Sequence, residues 1–508
     1  MADLDVNIGH WVRKNAQIYP DKTAVKSLGR AFTYRELSDR MNRLANGLRG
    51  LGLARGDRVA LLLLNGTEYV EAVFACSAIG LIAVPLNWRL GQDEQAFVVA
   101  DCAPRVLIHH AAFEERALAL QRECASIEHR LAVTDAGGSS PYEELLAAAP
   151  AADAVDPAVG GDDPHLIMYT AGTTGHPKGV VLTHANCFWQ SVNGWALGVS
   201  PKTVALVVLP LFHVGGLNGS VTPMIHVGAS VLLPPKFDVA ETLETIERER
   251  VSGLLAVPAV YQMMYDHPRF ASTDFSSIEA LISGGAPLPL DLIRKYHQRG
   301  LEFRQGYGLT ETAPGATGMG PGECLDHAGT AGRACLYVDL AIVDDGGHPL
   351  PPGQAGEVCV RGPNVMRGYW NRPDETASAL RGGWFHSGDI GFVDDAGYLT
   401  LVDRKKDMII SGGENVYPAE IEKVLQEHAG VAEVAVVGRP DAKWGEVPVA
   451  FVVPRRGCQL TADELLAFCR DRIGRYKQPK EFFFRQALPR NAAGKVLKPE
   501  LRREAGNG

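Results

Sequence analysis

Short apolar runs alternate with stretches of helical periodicity, and this alternation restricts the fold more than any single motif. Arg35 to Leu51 places Leu37, Met41, Leu44, Ala45 and Leu48 on one helical face. Arg58–Leu64, after Gly56-Asp57, is an apolar run of strand length; Glu68–Ile79 suits a helix and Leu81–Pro85 another strand. The rhythm recurs at Ala205–Leu209, Ser230–Leu233, Leu254–Val257 and Ala280–Ser283. Neighbouring strands joined through helices run parallel, so the order predicts an α/β fold with parallel-rich sheets covered by helices.

The pattern changes twice further on. From Arg333 to Val402, short alternating segments such as Leu340–Val343 and Glu357–Arg361 are separated by Gly, Pro and Asp, as antiparallel strands would be. After Asp403, a helix (Pro418–Glu427), two strands (Val431–Val437, Val447–Pro454) and a helix (Thr461–Arg472) predict a small α+β domain. Domains are therefore expected at 1–402 and 408–508. The charged cluster Asp403-Arg404-Lys405-Lys406-Asp407 forms a hinge between them. The stretch 137–163 is rich in Ala, Asp, Gly, Pro and Ser, and is expected as a surface linker, helical around Tyr142–Ala149.

Composition excludes several classes. A net charge of −9 over 508 residues argues against a nucleic-acid partner. Nine scattered cysteines form no C-x-x-C pair, which argues against a disulfide framework or zinc site and fits a reducing compartment. No signal peptide is read at the N-terminus. The most apolar stretch, Phe74–Leu86, is broken by Ser77, Gly80 and Pro85, so neither a membrane span nor an integral membrane contact is expected. The expected location is the cytoplasm.

The segment richest in chemistry is Tyr169-Thr-Ala-Gly-Thr-Thr-Gly-His-Pro-Lys-Gly179. His165–Thr170 before it and Val180–Leu182 after it read as strands. Gly172, Gly175 and Gly179 let the backbone approach a ligand closely; Thr170, Thr173 and Thr174 supply hydroxyl donors, and Lys178 a positive charge. That set suits a polyphosphate. It is not a Walker A loop, because Lys178 is followed by Gly179 and a strand.

Four more strings follow in order: Ser283-Gly-Gly-Ala-Pro287, Gln305-Gly-Tyr-Gly-Leu-Thr-Glu311, Trp384-Phe-His-Ser-Gly-Asp389 with the cluster at 403–407, and Pro489-Arg-Asn-Ala-Ala-Gly-Lys495. With the glycine-rich loop they resemble the adenylate-forming superfamily of acyl-CoA synthetases, luciferases and peptide-synthetase adenylation domains. The resemblance runs from about Phe32 to Lys498. Where that family usually carries Ser, this chain has Ala171, so the loop is expected to work with one fewer hydroxyl.

The resemblance implies the superfamily's fold: a large N-terminal domain with a small β-barrel-like part, and a small mobile C-terminal domain. It implies ATP, Mg²⁺ and coenzyme A as ligands. The nucleotide would touch Thr170, Gly172, Thr173, Thr174, Gly175, Lys178, Gly284, Gly285, Ala286, Gln305, Gly306, Tyr307 (stacked on adenine), Gly308, Thr310, Asp389, Arg404 and Lys495. Thr170 and Glu311 would hold the metal, and a hard cation does prefer such oxygen donors. Lys178, Thr310, Glu311 and Lys495 would be catalytic, Lys495 by offsetting charge as pyrophosphate leaves. Lys406 would be the pivot, with Gly412 and Gly413 lining the CoA tunnel.

The acyl pocket is expected at His213, Val214, Gly215, Gly216, Ala286, Ala313 and Pro314. Ala286, Ala313, Pro314 and Gly315 are small or apolar, and no arginine or lysine is there to bind a second carboxylate, which points to a hydrophobic monocarboxylic acid. Glycines at 215 and 216 favour a medium- or long-chain fatty acid; an aryl or hydroxycinnamate ligase is the alternative. A luciferase-like oxygenase, or a catalytically silent relative that binds nucleotide or acyl ligand, is of another class. No carrier domain follows Lys495, which favours free CoA as acceptor. A homo-oligomer is compatible with these features.

Overall fold

The computed structural model describes the chain except residues 1–5, 136–137, 171–176, 196–197, 405–406, 412–413, 442–443, 471, 476, 491–494 and 507–508. Its contacts divide it into two compact units, Met1–Leu340 with Val360–Phe385, and Ala341–Cys359 with His386–Gly508. The stretch expected as a hinge, 403–407, falls within the second unit, and its Lys405 and Lys406 lie outside the described residues.

Two sheets organise the first unit. One has seven strands in the order Gly368–Tyr369, Lys178–Thr183, Pro164–Thr170, Ile82–Pro85, Arg58–Leu62, Val106–His110, His129–Val133. The last five run parallel, and the first two are added antiparallel. The other sheet has nine strands, with Phe303–Gly308, Ala280–Ser283, Gly253–Ala256, Val204–Leu206, Ser230–Leu232 and Thr23–Ser27 parallel in its centre.

Periodicity located the helices because it encodes burial. The helix Tyr34–Gly50 starts at a capping box in which Thr33 Oγ1 accepts from the Glu36 N–H at 3.2 Å, and Glu36 Oε2 accepts from the Thr33 N–H at 2.8 Å. Its Leu37, Met41, Leu44, Ala45 and Leu48 are all fully buried. Each large one contributes roughly 1.5–3 kcal/mol relative to an exposed position. The next helix, Thr67–Ala78, is buried on every side and includes Glu71. A buried carboxylate needs partners. Arg40 supplies two, at 2.8 and 3.1 Å, and the Tyr142 hydroxyl donates a third at 2.7 Å.

Tyr142 corrects one expectation. The stretch 137–163 does contain a helix, Pro141–Ala148, but it is not a surface linker. Tyr142, Leu146, Ala154 and Val159 are buried, and the segment seals one flank of the core.

The second unit carries two sheets. Asp339–Val343, Gly356–Arg361, Phe385–Val393 and Leu399–Arg404 form one four-stranded sheet, its last two strands antiparallel, in the stretch of short alternating segments. The other sheet is built on the hairpin Val431–Asp441 and Gly445–Pro454. Both its faces are covered, which explains the nearly continuous apolar run. Val436, Ala450 and Val452 pack with Ile421, Leu425 and Leu465; Ala435, Val437, Val449 and Phe451 pack with Leu501 on the opposite face. Among the described residues no helix is long and apolar enough to cross a membrane.

Two buried imidazoles, His165 and His184, and the half-buried His226 in the first unit set a pH dependence. Desolvation lowers His184 and His226 to about 4 and His165 well below its ordinary value. The unfolded chain titrates near 6.5, so between about 6.5 and 4 it binds the extra protons. The stabilisation is complete above that window and is lost as pH falls through it. His226 stacks on Trp11 at 4.0 Å, and phenylalanine preserves that stack. His226→Phe should melt near wild type at pH 7.5 and lose roughly 2 kcal/mol less than wild type on going to pH 5, measured by denaturant titration.

Candidate active site

Pro164–Thr170 and Lys178–Thr183 pair antiparallel with Thr170 opposite Lys178, so the two residues are the posts of the glycine-rich loop. Gly172, Thr173, Thr174 and Gly175 lie outside the described residues. The Lys178 ammonium sits 5.2 Å above the ring centroid of Tyr369 and forms an ion pair with Glu375. Tyr369 arrives on the strand Gly368–Tyr369, which pairs with Val180 and Val181. Its hydroxyl donates to Glu311 Oε1 at 3.0 Å. Burial, with the Glu311 charge beside it, raises the phenol well above its ordinary pKa, so it remains a donor. Lys178 and Glu311 thus share one neighbour.

Glu311 lies on the short turn Thr310–Thr312, between the antiparallel strands Phe303–Gly308 and Gly315–Gly318. Here glycine is obligatory: a Cβ at Gly308 would lie 1.5 Å from the Pro314 carbonyl oxygen, and one at Gly306 would lie 2.8 Å from that of Thr317. The turn is fastened from outside as well. The buried Asn364 amide donates to the Thr312 and Gly315 carbonyls, both at 2.7 Å, and the Met366 N–H donates to the Glu311 carbonyl at 2.8 Å. The Tyr307 N–H donates to Thr317 Oγ1 at 3.1 Å. Gln305 is buried on the same strand, and its Oε1 has no hydrogen-bond partner among the described residues. The turn at Gly284, Gly285 and Ala286 abuts this strand, since a Cβ at Gly284 would lie 3.4 Å from the Gly306 carbonyl oxygen. Ala286 itself is exposed.

On the expected acyl side, the carbonyl of half-buried His213 accepts the N–H groups of Gly216 and Leu217 at 3.0 and 3.1 Å. The helical turn Val214–Gly216 then widens into one π-helical turn, Leu217–Val221, a form frequent at functional sites. Only Gly215 of the two glycines leaves room. A Cβ at Gly216 would lie 2.3 Å from the Pro210 carbonyl oxygen, so backbone fills that space, contrary to expectation. At Gly215 the nearest described atom is Leu209 Cδ1, at 3.5 Å. Gly219 faces Pro314 Cγ at 3.3 Å and Leu255 Cδ1 at 3.7 Å, and Asn218 Nδ2 donates to the Ala313 carbonyl at 3.3 Å. These contacts bring the stretch 213–219 against Ala313 and Pro314. The Gly315 N–H donates to Gln190 Oε1 at 3.0 Å, which places Gln190 at the same wall.

In the second unit, Asp389 and Arg404 stand opposite each other on paired strands. Asp389 is buried, and its N–H donates to Ser387 Oγ at 3.0 Å. The Arg404 side chain, Lys406, Gly412 and Gly413 lie outside the described residues. Asp403 Oδ2 accepts the Ala419 N–H at 2.9 Å, capping the positive end of the helix Pro418–Gln426. Lys495 is exposed, beside the bridge between Arg490 and Val496.

The family model described as "AMP-binding enzyme" matches residues 12–370, and that described as "AMP-binding enzyme C-terminal domain" matches 420–495. The chain belongs to the AMP-binding enzyme family. Two relatives span almost the whole of it. A feruloyl-CoA synthase of an Amycolatopsis species is 46% identical over 98% of this chain and 99% of its own. A long-chain-fatty-acid–CoA ligase of Mycobacterium tuberculosis is 41% identical over 98% of each chain. The crystal structure of ATP-bound MatB from Rhodopseudomonas palustris superposes with a TM-score of 0.92 at 31% identity, over 99% of both chains. This AMP-binding enzyme is an ATP-dependent acid–CoA ligase.

Sequence reasoning did not find Tyr369, Glu375, Asn364, Gln190 or Gly219 in this enzyme. None belongs to a chemical motif, and each matters through a contact with a residue distant in sequence. Gly308→Ala is expected to lose at least tenfold in ATP affinity, because the Glu311 turn must move by more than an ångström. Calorimetric ATP titration, with a melting curve to confirm folding, checks this.

Proposed function

We propose that this ligase adenylates a hydrophobic monocarboxylic acid at the Lys178–Glu311 site and then transfers the acyl group to CoA. A carboxylate is a poor acyl donor because its leaving group would be oxide. Attack of its oxygen on the ATP α-phosphorus releases pyrophosphate and leaves an acyl-adenylate; attack of the CoA sulfur on the acyl carbon then releases AMP.

In this reading Lys178 offsets phosphate charge from one post of the loop, with Thr170 at the other. Thr310 stands beside the α-phosphate and Tyr307 against adenine. Asp389 and Arg404 take the ribose; Lys495 acts in adenylation and is withdrawn for thioester formation, with Lys406 as pivot and Gly412 and Gly413 beside pantetheine. Mg²⁺ fits the donors: Glu311 and Thr170 offer hard oxygens, and no described cluster of three or more His, Cys, Asp or Glu makes a protein-only cage. That matches an ion that takes one or two carboxylates and completes its shell with phosphate oxygens, and when bound it would neutralise phosphate charge.

One observation carries the acid class: neither 213–222 nor 313–318 contains a charged residue, and Gly219 faces Pro314 and Leu255. Between the two hydrophobic classes we favour an aryl acid. The space at Gly216 is filled by backbone, which removes half of the sequence argument for a long tunnel, and the feruloyl-CoA synthase is the more identical of the two relatives. A fatty acid is the second reading, supported by the room at Gly215 and by the fatty-acid ligase.

The test is acyl-CoA and AMP formation, by mass, with ferulate, benzoate, octanoate, palmitate, acetate and malonate. The aryl reading expects kcat/KM for ferulate at least about tenfold above octanoate and palmitate, and malonate inert. The reverse order selects the fatty acid. Preference for malonate contradicts a hydrophobic pocket.

A further inference from the structure

Tyr369 has two faces in use at once. Its hydroxyl is hydrogen-bonded to Glu311 Oε1 at 3.0 Å, and its ring lies under the Lys178 ammonium at 5.2 Å. Its backbone is held on both sides. It pairs with Val180, two residues from Lys178, and its N–H donates to Thr376 Oγ1 at 2.9 Å. The flanks are anchored too: the Trp370 N–H donates to the Gly179 carbonyl at 2.7 Å, and the Met366 N–H donates to the Glu311 carbonyl at 2.8 Å. Arg372 and Tyr169 both bind Asp101, at 3.0 and 2.6 Å, tying this segment to the strand that enters the loop.

We infer that Tyr369 is a positioning residue for the magnesium–nucleotide, setting the spacing between the phosphate-facing Lys178 and the metal-facing Glu311. The inference rests on the proposed roles of those two residues. The physical basis is division of labour on one rigid ring. Its face stabilises the ammonium as a cation–π partner, and its hydroxyl fixes the carboxylate by a charge-assisted hydrogen bond. Both charges are thereby placed before ligand arrives, so less ordering is needed on binding. Glu375, paired with Lys178, holds the lysine on the same ring without touching Glu311 in any described contact.

The two functions separate by substitution. Tyr369→Phe keeps the ring under Lys178 and removes the hydrogen bond to Glu311; Tyr369→Leu removes both. ATP binding is measured by calorimetry with no acid or CoA present, once in EDTA and once with saturating Mg²⁺. For Tyr369→Phe the metal-free Kd should stay within about twofold of wild type, while the tightening caused by Mg²⁺ falls about tenfold. Tyr369→Leu should also weaken metal-free binding by about threefold or more. Wild-type values for Tyr369→Phe in both arms would overturn the inference.

Glu311→Gln and Lys178→Ala serve as controls. If they move the Mg²⁺ and metal-free arms respectively and Tyr369→Phe moves neither, only the coupling fails. If neither control moves either arm, the assigned roles fail and the inference fails with them. An unchanged melting temperature establishes that Tyr369→Phe is folded; should Tyr369→Leu not fold, the phenylalanine variant decides alone.

Discussion

No side chain fits at Gly308. Its missing Cβ would lie 1.5 Å from the Pro314 carbonyl oxygen, and the site depends on that approach of backbone to backbone. It closes the turn that presents Glu311 on one side and Ala313 and Pro314 on the other. The carboxylate proposed to face the metal and the wall proposed for the acyl pocket therefore come from a single short loop. Asn364, Met366 and Tyr369 hold the loop from a second segment, and Asn218 and Gln190 hold it from two more. Preorganisation of this kind lets charges act in a transition state without being ordered at the moment of reaction.

The charges themselves are arranged sparingly. Lys178 comes from the end of a strand, Glu311 from a turn in the other sheet, and Tyr369 lies between them. The same economy appears in the core, where Glu71 is buried but held by Arg40 and Tyr142. A strand-paired scaffold carries the site, with Thr170 and Lys178 opposite each other at its edge.

Much of this was legible in the sequence, for physical reasons. Leu37, Met41, Leu44, Ala45 and Leu48 could be assigned to one helix face because burial imposes that spacing, and the strands Ala280–Ser283 and Gly253–Ala256 because short apolar runs suit parallel strands. Motifs located the loop after Thr170 and the turn at Glu311, since both are local. What stayed hidden was pairing across distance. Nothing in Gly368-Tyr369 announces that it pairs with Val180–Val181, and Gly215 and Gly216 look alike until the Pro210 carbonyl is seen to fill one of them. The stretch around Tyr142 was misread because its alanines and glycines resemble a linker, whereas its few large residues are buried.

The central claim is that two half-reactions share one site and that Lys495 serves the first. The most direct measurement compares wild type with Lys495→Ala in acid-dependent exchange of labelled pyrophosphate into ATP without CoA, and in thioester formation from premade acyl-adenylate plus CoA. The account predicts exchange in wild type, a loss of about 100-fold or more in the variant, and thioester formation within a few-fold of wild type. Equal loss in both half-reactions, or no acid-dependent exchange by the wild-type enzyme with the acid it converts to acyl-CoA, would contradict it.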